Sequence, residues 1–266
     1  MGIYKEEAII LRSMAYGEAD RILTLFTRGT GKVAAIAKGV RKPSSRLRGA
    51  VQLFSHAHLV IYGGKTLDTI SQGDADESFG FIEQDLDRLA AASCFTELVD
   101  RLTMERQPQP KLFQLLLTAL RALEVSDPEM LGRVFETKLL AILGYQPQLD
   151  GCVMGCDDVR QALQSEAATE PVWFSIERGG LLCPACAAKT PGAQALSPPT
   201  VAAMAYFLRS PLDRAVRVRI ERRNLLELAS FLRSFISYHG DIRLRSWQFA
   251  GEVDAAGGFR NGRPQR

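Results

Sequence analysis

Two cysteine pairs carry the most specific chemistry in the sequence. Cys152 and Cys156 stand as C-x3-C within GCVMGC, and Cys183 and Cys186 as C-x2-C within LCPAC. Thiols two to four residues apart approach one tetrahedral ion from a tight turn, and Gly151, Gly155 and Pro184 supply the turn chemistry. Two such pairs close a four-sulfur shell with no position left for water. The expected cofactor is therefore a structural Zn2+, contributing on the order of 10 kcal/mol to local folding. The bland alternative is four core thiols that happen to pair. The remaining cysteine, Cys94, falls on the apolar stripe of a helix and reads as core. Between the pairs, Trp173 to Ile176 is β-prone and Glu177 to Gly180 makes a turn, so a small hairpin is expected, with Trp173 packed beneath the metal rather than stacked on a base.

Charge is the second signal. The formal net charge is only +3, yet nine basic residues lie between Arg21 and Leu67 with no Asp or Glu among them. A second basic region runs from Tyr206 to Arg245. Segregated positive charge attracts polyanions, because each neutralised phosphate releases condensed counterions. A solvated face is the plain alternative, and 47 residues without a carboxylate favour a polyanion surface.

Catalytic patterns fail. Gly64-Lys65-Thr66 looks like the end of a phosphate loop, but position 59 is Leu where the motif needs Gly. No His is followed by x-Glu, as a zinc deaminase requires. His56 and His58 alternate on an expected strand with no matched Cys or carboxylate, and read as surface or rim residues. The expectation is a protein that is not an enzyme. Composition is that of an ordinary globular chain, 46% apolar and 24% charged. No stretch suits a membrane span, and residues 1–12 lack the order of a signal peptide, so the expected location is cytoplasmic.

The elements that must hold these residues emerge from periodicity. Ile3 to Ser13, Arg21 to Thr27, Lys32 to Lys38, Ala57 to Tyr62 and Leu67 to Gln72 read as strands, with Gly39 to Gly49 a basic loop. Five short strands suit a small closed barrel of the oligonucleotide-binding (OB) kind, a sandwich being second. After Gly80 the period becomes helical: Leu86 to Leu102, Leu112 to Leu123, Met130 to Leu143, a helix capped by Ser197 with Pro198 first, and Asn224 to Tyr238. The expected fold class is α+β and multidomain: an N-terminal OB-fold β-barrel (1–80), an α-helical bundle (81–149 and 191–245) with an inserted four-cysteine zinc module (150–190), and a tail (246–266), Gly/Arg-rich and disordered from Ala255.

The stretch Tyr16 to Thr27 (YGEADRILTLFT), then Gly31-Lys32, then Gly39 to Gly49 (GVRKPSSRLRG) resembles the N-terminal signature of the bacterial recombination mediator RecO. Phe95 to Leu102 (FTELVDRL), Phe135 to Gly144 (FETKLLAILG) and Leu244-Arg245-Ser246 agree. The resemblance implies an OB barrel followed by a helical domain with a zinc module. It implies binding of single- and double-stranded DNA, annealing of complementary strands and homologous repair. The implied partners are RecR, sometimes RecF, and single-strand-binding protein, so that RecA loads onto the covered strand.

The residues expected to hold DNA backbones are Arg28, Lys32, Lys38, Arg41, Lys42, Arg46 and Arg48, on a hairpin, a strand and a flexible loop. Tyr16, Phe26 and Phe54 are candidate stacking platforms, with Phe26 better suited to the core. Arg222, Arg223 and Arg233 on the last long helix are expected to rim a groove for the acidic tail of single-strand-binding protein. Two other readings stay open: a zinc-containing OB-fold RNA-binding or translation-associated factor, and a scaffold whose basic face binds an acidic protein.

Overall fold

A computed structural model describes residues 2–156 and 170–255. It divides into two units, one of residues 1–128 with 244–266 and one of residues 129–243. The expected boundary at residue 80 lies inside the first.

The first unit is built on five strands: β1 (Ile3–Tyr16), β2 (Asp20–Thr27), β3 (Gly31–Ala37), β4 (His56–Tyr62) and β5 (Asp68–Glu77). They close into a barrel in the order β1-β2-β3-β5-β4, with β3 and β5 parallel and the other pairs antiparallel. This is the OB-type Greek-key barrel that the strand pattern predicts. Alternation along β3, where residues 31, 33, 35 and 37 are buried, shows how period two fills the interior. Ile10, Leu23, Leu25, Val33, Leu59, Ile61 and Ile70 form its core.

Two helices, α1 (Leu86–Leu102) and α2 (Pro110–Ala122), belong with the barrel. Asp85 caps α1 by accepting from the N–H groups of Asp87 and Arg88. Phe113 of α2 lies 6.1 Å from the ring of Phe26 in β2, which is why the nearly all-apolar α2 is buried against strands. The link between the helices runs beside β3. Gly31, at φ +83°, would place a Cβ 2.2 Å from the Gln107 carbonyl, so only glycine fits. Arg106 reaches from this link to the buried carboxylate of Asp68, 2.9 Å from each oxygen.

The second unit starts with α3 (Pro128–Ile142), followed by β6 (Val172–Ser175), β7 (Gly180–Leu182), a one-turn α4 (Pro184–Ala187) and β8 (Gln194–Leu196). The sheet order is β7-β6-β8. The hairpin matches expectation; β8 is an addition. Next come α5 (Pro198–Arg209), a one-turn α6 (Leu212–Ala215) and α7 (Arg222–Gly240). Phe174 packs edge-on to Phe231, at 4.8 Å, and Phe235, joining the hairpin to the apolar stripe of α7. Ser197 starts α5 as expected, but its hydroxyl goes to Glu227 of α7 rather than to its own helix's backbone.

The stretch read as a tail forms α8 over Arg245–Ala255, back in the first unit. The Glu97 carboxylate of α1 accepts the N–H groups of Arg245 and Ser246, at 3.1 and 2.8 Å, and so caps α8. Trp247 and Val253 are buried. The expected disorder from Ala255 falls mostly on residues 256–266, outside the described residues. No helix among the described residues is long and apolar enough to cross a membrane.

Candidate functional site

The loop between β3 and β4, residues 38–55, is two-faced. Val40, Ala50 and Val51 are buried in the barrel core and Leu47 packs against it. Their polar neighbours point outward: Lys38, Arg41, Lys42, Arg46 and Arg48 are all exposed. Backbone hydrogen bonds tie the start of the loop to the entry of β2. Gly39 N–H donates to Asp20 Oδ1 at 2.7 Å, and Arg41 N–H to the Ala19 carbonyl at 2.9 Å.

Beside the loop lies a cleft of about 270 Å³ lined by Arg21, Val40, Arg41, Arg48, Val51 and Gln52. Three guanidinium groups share it, each steered by a neutral acceptor. Arg21 Nη1 donates to Ser13 Oγ at 2.8 Å, Arg41 Nη1 to the Glu18 carbonyl at 3.1 Å, and Arg48 Nη2 to the Arg41 carbonyl at 3.1 Å. Orientation by hydroxyl and carbonyl groups leaves the positive charge uncancelled, which suits a phosphate oxygen. Arg21 is a member that sequence reasoning misses. It belongs to the basic run, but only the cleft shows its side chain beside Arg41 and Arg48.

Two of the expected cations are engaged elsewhere. Arg28 pairs with Glu7 at 3.0 Å, although it remains exposed. Lys32 is 14% exposed and sits between the Asp100 carboxylate, 3.4 Å away, and the Asp100 carbonyl. Lys32 is a brace between β3 and α1. Of the stacking candidates, Phe26 and Phe54 are buried, Phe54 in the left-handed region at φ +68°, so neither offers a ring face. Tyr16, at the tip of the β1–β2 hairpin, is 54% exposed.

On α7, Arg222 pairs with Glu129 and Arg223 with Glu221, while Arg233 is exposed. The residues Leu225, Leu228, Phe231, Leu232 and Phe235 form a buried apolar stripe, which meets Phe174 of the hairpin. Exposed Leu226 lies four residues from Arg222 and seven from Arg233, on one helical face.

The four cysteines do converge. The sulfurs of Cys152, Cys156, Cys183 and Cys186 lie within 4.8 Å of one another, with Cys156 and Cys186 at 3.4 Å. A tetrahedral ion bound to sulfur at about 2.3 Å needs sulfurs about 3.8 Å apart, so the set fits a metal ion. Gly155, at φ +80°, turns the first pair, and the α4 turn presents the second. Val153 N–H bonds the Leu181 carbonyl at 2.8 Å, tying the first pair to the hairpin. Burial opposes ionisation of Cys152, but the N–H groups of Cys183, Met154 and Cys156 outweigh it and bring the thiol down to about 7. Sulfur contacts with Cys156 and Cys183 push Cys186 up to about 12. That spread is what crowded thiols show and what a cation relieves. Trp173, at the hairpin, is half-buried.

His56 departs from expectation. It is buried and faces three carboxylates, Glu7, Asp76 and Glu77. No spacing rule reveals these, because they arrive from β1 and from the end of β5.

Comparison with known proteins agrees with this architecture. The family described as "Recombination protein O N terminal" matches residues 1–79, and "Recombination protein O C terminal" matches residues 83–248. The chain is 39% identical to the DNA repair protein RecO of Pelotomaculum thermopropionicum over 94% of each chain. It is 38% identical to that of Symbiobacterium thermophilum over 96% of this chain and 100% of the other. It is 30% identical to that of Halalkalibacterium halodurans over 96% of each. Both halves match in order and the relatives align along almost their whole length, so the chain belongs to the RecO family of DNA repair proteins.

Proposed function

We propose that this chain is a recombination mediator that works by binding rather than catalysis. It holds single- and double-stranded DNA by the backbone on the face made by Lys38, Arg41, Lys42, Arg46 and Arg48, with the Arg21–Arg41–Arg48 cleft seating one phosphate. Annealing two polyanions requires screening of their repulsion, and a cationic face does this without reading sequence. Tyr16 is the candidate stacking platform. The reading rests on one observation above all: the loop buries its apolar residues in the barrel and turns every cation outward.

The further steps come from the family. The chain acts with RecR, and in some settings RecF, at the nucleoid. It engages the acidic tail of single-strand-binding protein so that RecA loads onto the covered strand. The face of α7 with Arg222, Leu226 and Arg233 is the candidate dock for that tail. The four-cysteine site carries a structural Zn2+, held by Cys152, Cys156, Cys183 and Cys186, and the ion supplies rigidity to the module.

The test is a variant with Arg41, Lys42, Arg46 and Arg48 replaced by Glu. Fluorescence anisotropy on a labelled single strand and annealing of protein-coated complementary strands should both fail in it, with circular dichroism unchanged. Retained binding would overturn the assignment of the site. Preference for structured RNA over DNA in competition would instead favour a translation-associated role.

A further inference from the structure

A second constellation sits on the barrel, independent of the basic loop. β4 and β5 pair with Ala57 opposite Ala75 and His56 opposite Glu77, so Asp76 is the extra residue of a β-bulge. A bulge breaks side-chain alternation and re-aims the neighbouring side chains. Here it turns both carboxylates onto one imidazole. His56 Nδ1 lies 3.2 Å from Asp76 Oδ2 and 3.3 Å from Glu77 Oε1.

The imidazole is 3% exposed, and Nδ1 makes no hydrogen bond despite those two neighbours. A proton on Nδ1 needs an acceptor aligned with the N–H axis, and neither carboxylate provides one. A metal ion lies off the lines joining its ligands and has no such need. Two donors about 2.1 Å from one ion, at an angle near 100°, stand about 3.2 Å apart. The observed separations match that.

The surroundings suit a ligand set. His56 Nε2 lies 2.9 Å from Glu7 Oε1. With the proton on Nε2 donated to Glu7, Nδ1 carries the lone pair, the arrangement by which a carboxylate fixes a metal-binding histidine. Arg28 holds Glu7, and Arg121 holds Glu77 with Nε 2.9 Å from Oε2. Asp76 is 52% exposed and gives solvent a way in.

We propose that His56, Asp76 and Glu77 form a binding site for a divalent first-row transition ion, with Glu7 orienting the histidine. One imidazole with carboxylates suits Mn2+, Fe2+ or Zn2+ better than the all-oxygen cations Ca2+ and Mg2+. Phe113 of α2 lies edge-on to the His56 ring at 6.1 Å, and Arg121 comes from the same helix. An ion here would therefore brace the β4–β5 end against α2.

The probe is Mn2+ added to the full chain with its cysteines already zinc-loaded, the free-ion signal being followed by electron paramagnetic resonance. One Mn2+ should bind per chain. His56→Gln and Asp76→Asn should each weaken binding at least about tenfold. Asp76 is half exposed, so Asp76→Asn keeps the test decisive if His56→Gln fails to fold. Cys186→Ser should leave Mn2+ affinity unchanged. No binding at millimolar Mn2+, unchanged affinity in Asp76→Asn, or loss of binding in Cys186→Ser would each overturn the proposal.

Discussion

Lys32 and Asp100 form a bolt between barrel and helix. The Lys32 ammonium stands 3.4 Å from Asp100 Oδ1 and also donates to the Asp100 carbonyl, while Arg12 reaches the other carboxylate oxygen at 3.3 Å. Lys32 is 14% exposed. A cation satisfied by two acceptors and shielded from solvent is poorly placed to meet a phosphate. Lys32→Ala should cost about 2 kcal/mol of stability, the scale of a charged hydrogen-bonded group. It should leave the salt dependence of DNA binding unchanged. Thermal unfolding and a salt titration separate the two effects.

The exposed loop cations predict the complementary behaviour. If Lys38, Arg41, Lys42, Arg46 and Arg48 each meet a phosphate, the logarithm of affinity for a single strand should fall with log salt at a slope of about −3.5. Replacing Lys38 alone by Ala should make the slope shallower by about 0.7 with the melting temperature unchanged. A slope near zero would show that the loop binds something other than a phosphate backbone.

Local pattern and long-range packing explain what the sequence revealed and what it concealed. The barrel strands are legible because period two and glycine turns are local, and the cysteine cluster because two short spacings fix it. The loop cations are legible as charge. Whether a given cation is spent is not: Lys32 and Lys38 are both basic residues on or beside one strand, and only Asp100, 68 residues from Lys32, distinguishes them. The same holds for α8. Its cap is Glu97 of α1, 149 residues from Ser246, so residues 246 onward read as tail until α1 is in place. The His56 cluster depends on the bulge at Asp76, which no alternation pattern announces.

Acid should loosen the barrel from the α1–α2 link. Burial opposes ionisation of Asp68, but hydrogen bonds from Tyr4, the Gly64 N–H and Arg106 outweigh it, and the carboxyl titrates below its ordinary value. A carboxyl with a depressed folded value contributes stability that is present above the unfolded value, about 4, and is lost as pH falls through the folded one. Thermal stability should therefore drop below about pH 4. Asp68→Asn should lower stability at neutral pH by about 2 kcal/mol and flatten that acid limb. An equally steep acid limb in the variant would assign the loss to other carboxylates, with Glu97 and Glu77 next in line.

Metal removal should act on one region. The N–H groups of Val153 and Leu181 bond the carbonyls of Leu181 and Gln148, at 2.8 and 3.1 Å, so the segment bearing the first cysteine pair lies along the hairpin edge. Gly180 permits this, because a Cβ there would stand 2.2 Å from Val153 Cγ1. Four thiols gathered within 4.8 Å repel one another once ionised, and without a cation that repulsion acts directly on these bonds. A chelator, or Cys183→Ser, should release one zinc per chain and expose the Val153 and Leu181 amides to hydrogen exchange. The amides of β1 to β5 should stay protected and the salt slope on DNA unchanged, because the barrel core is formed by its own residues. Joint loss of protection in the barrel would mean that the ion supports more than the module that binds it.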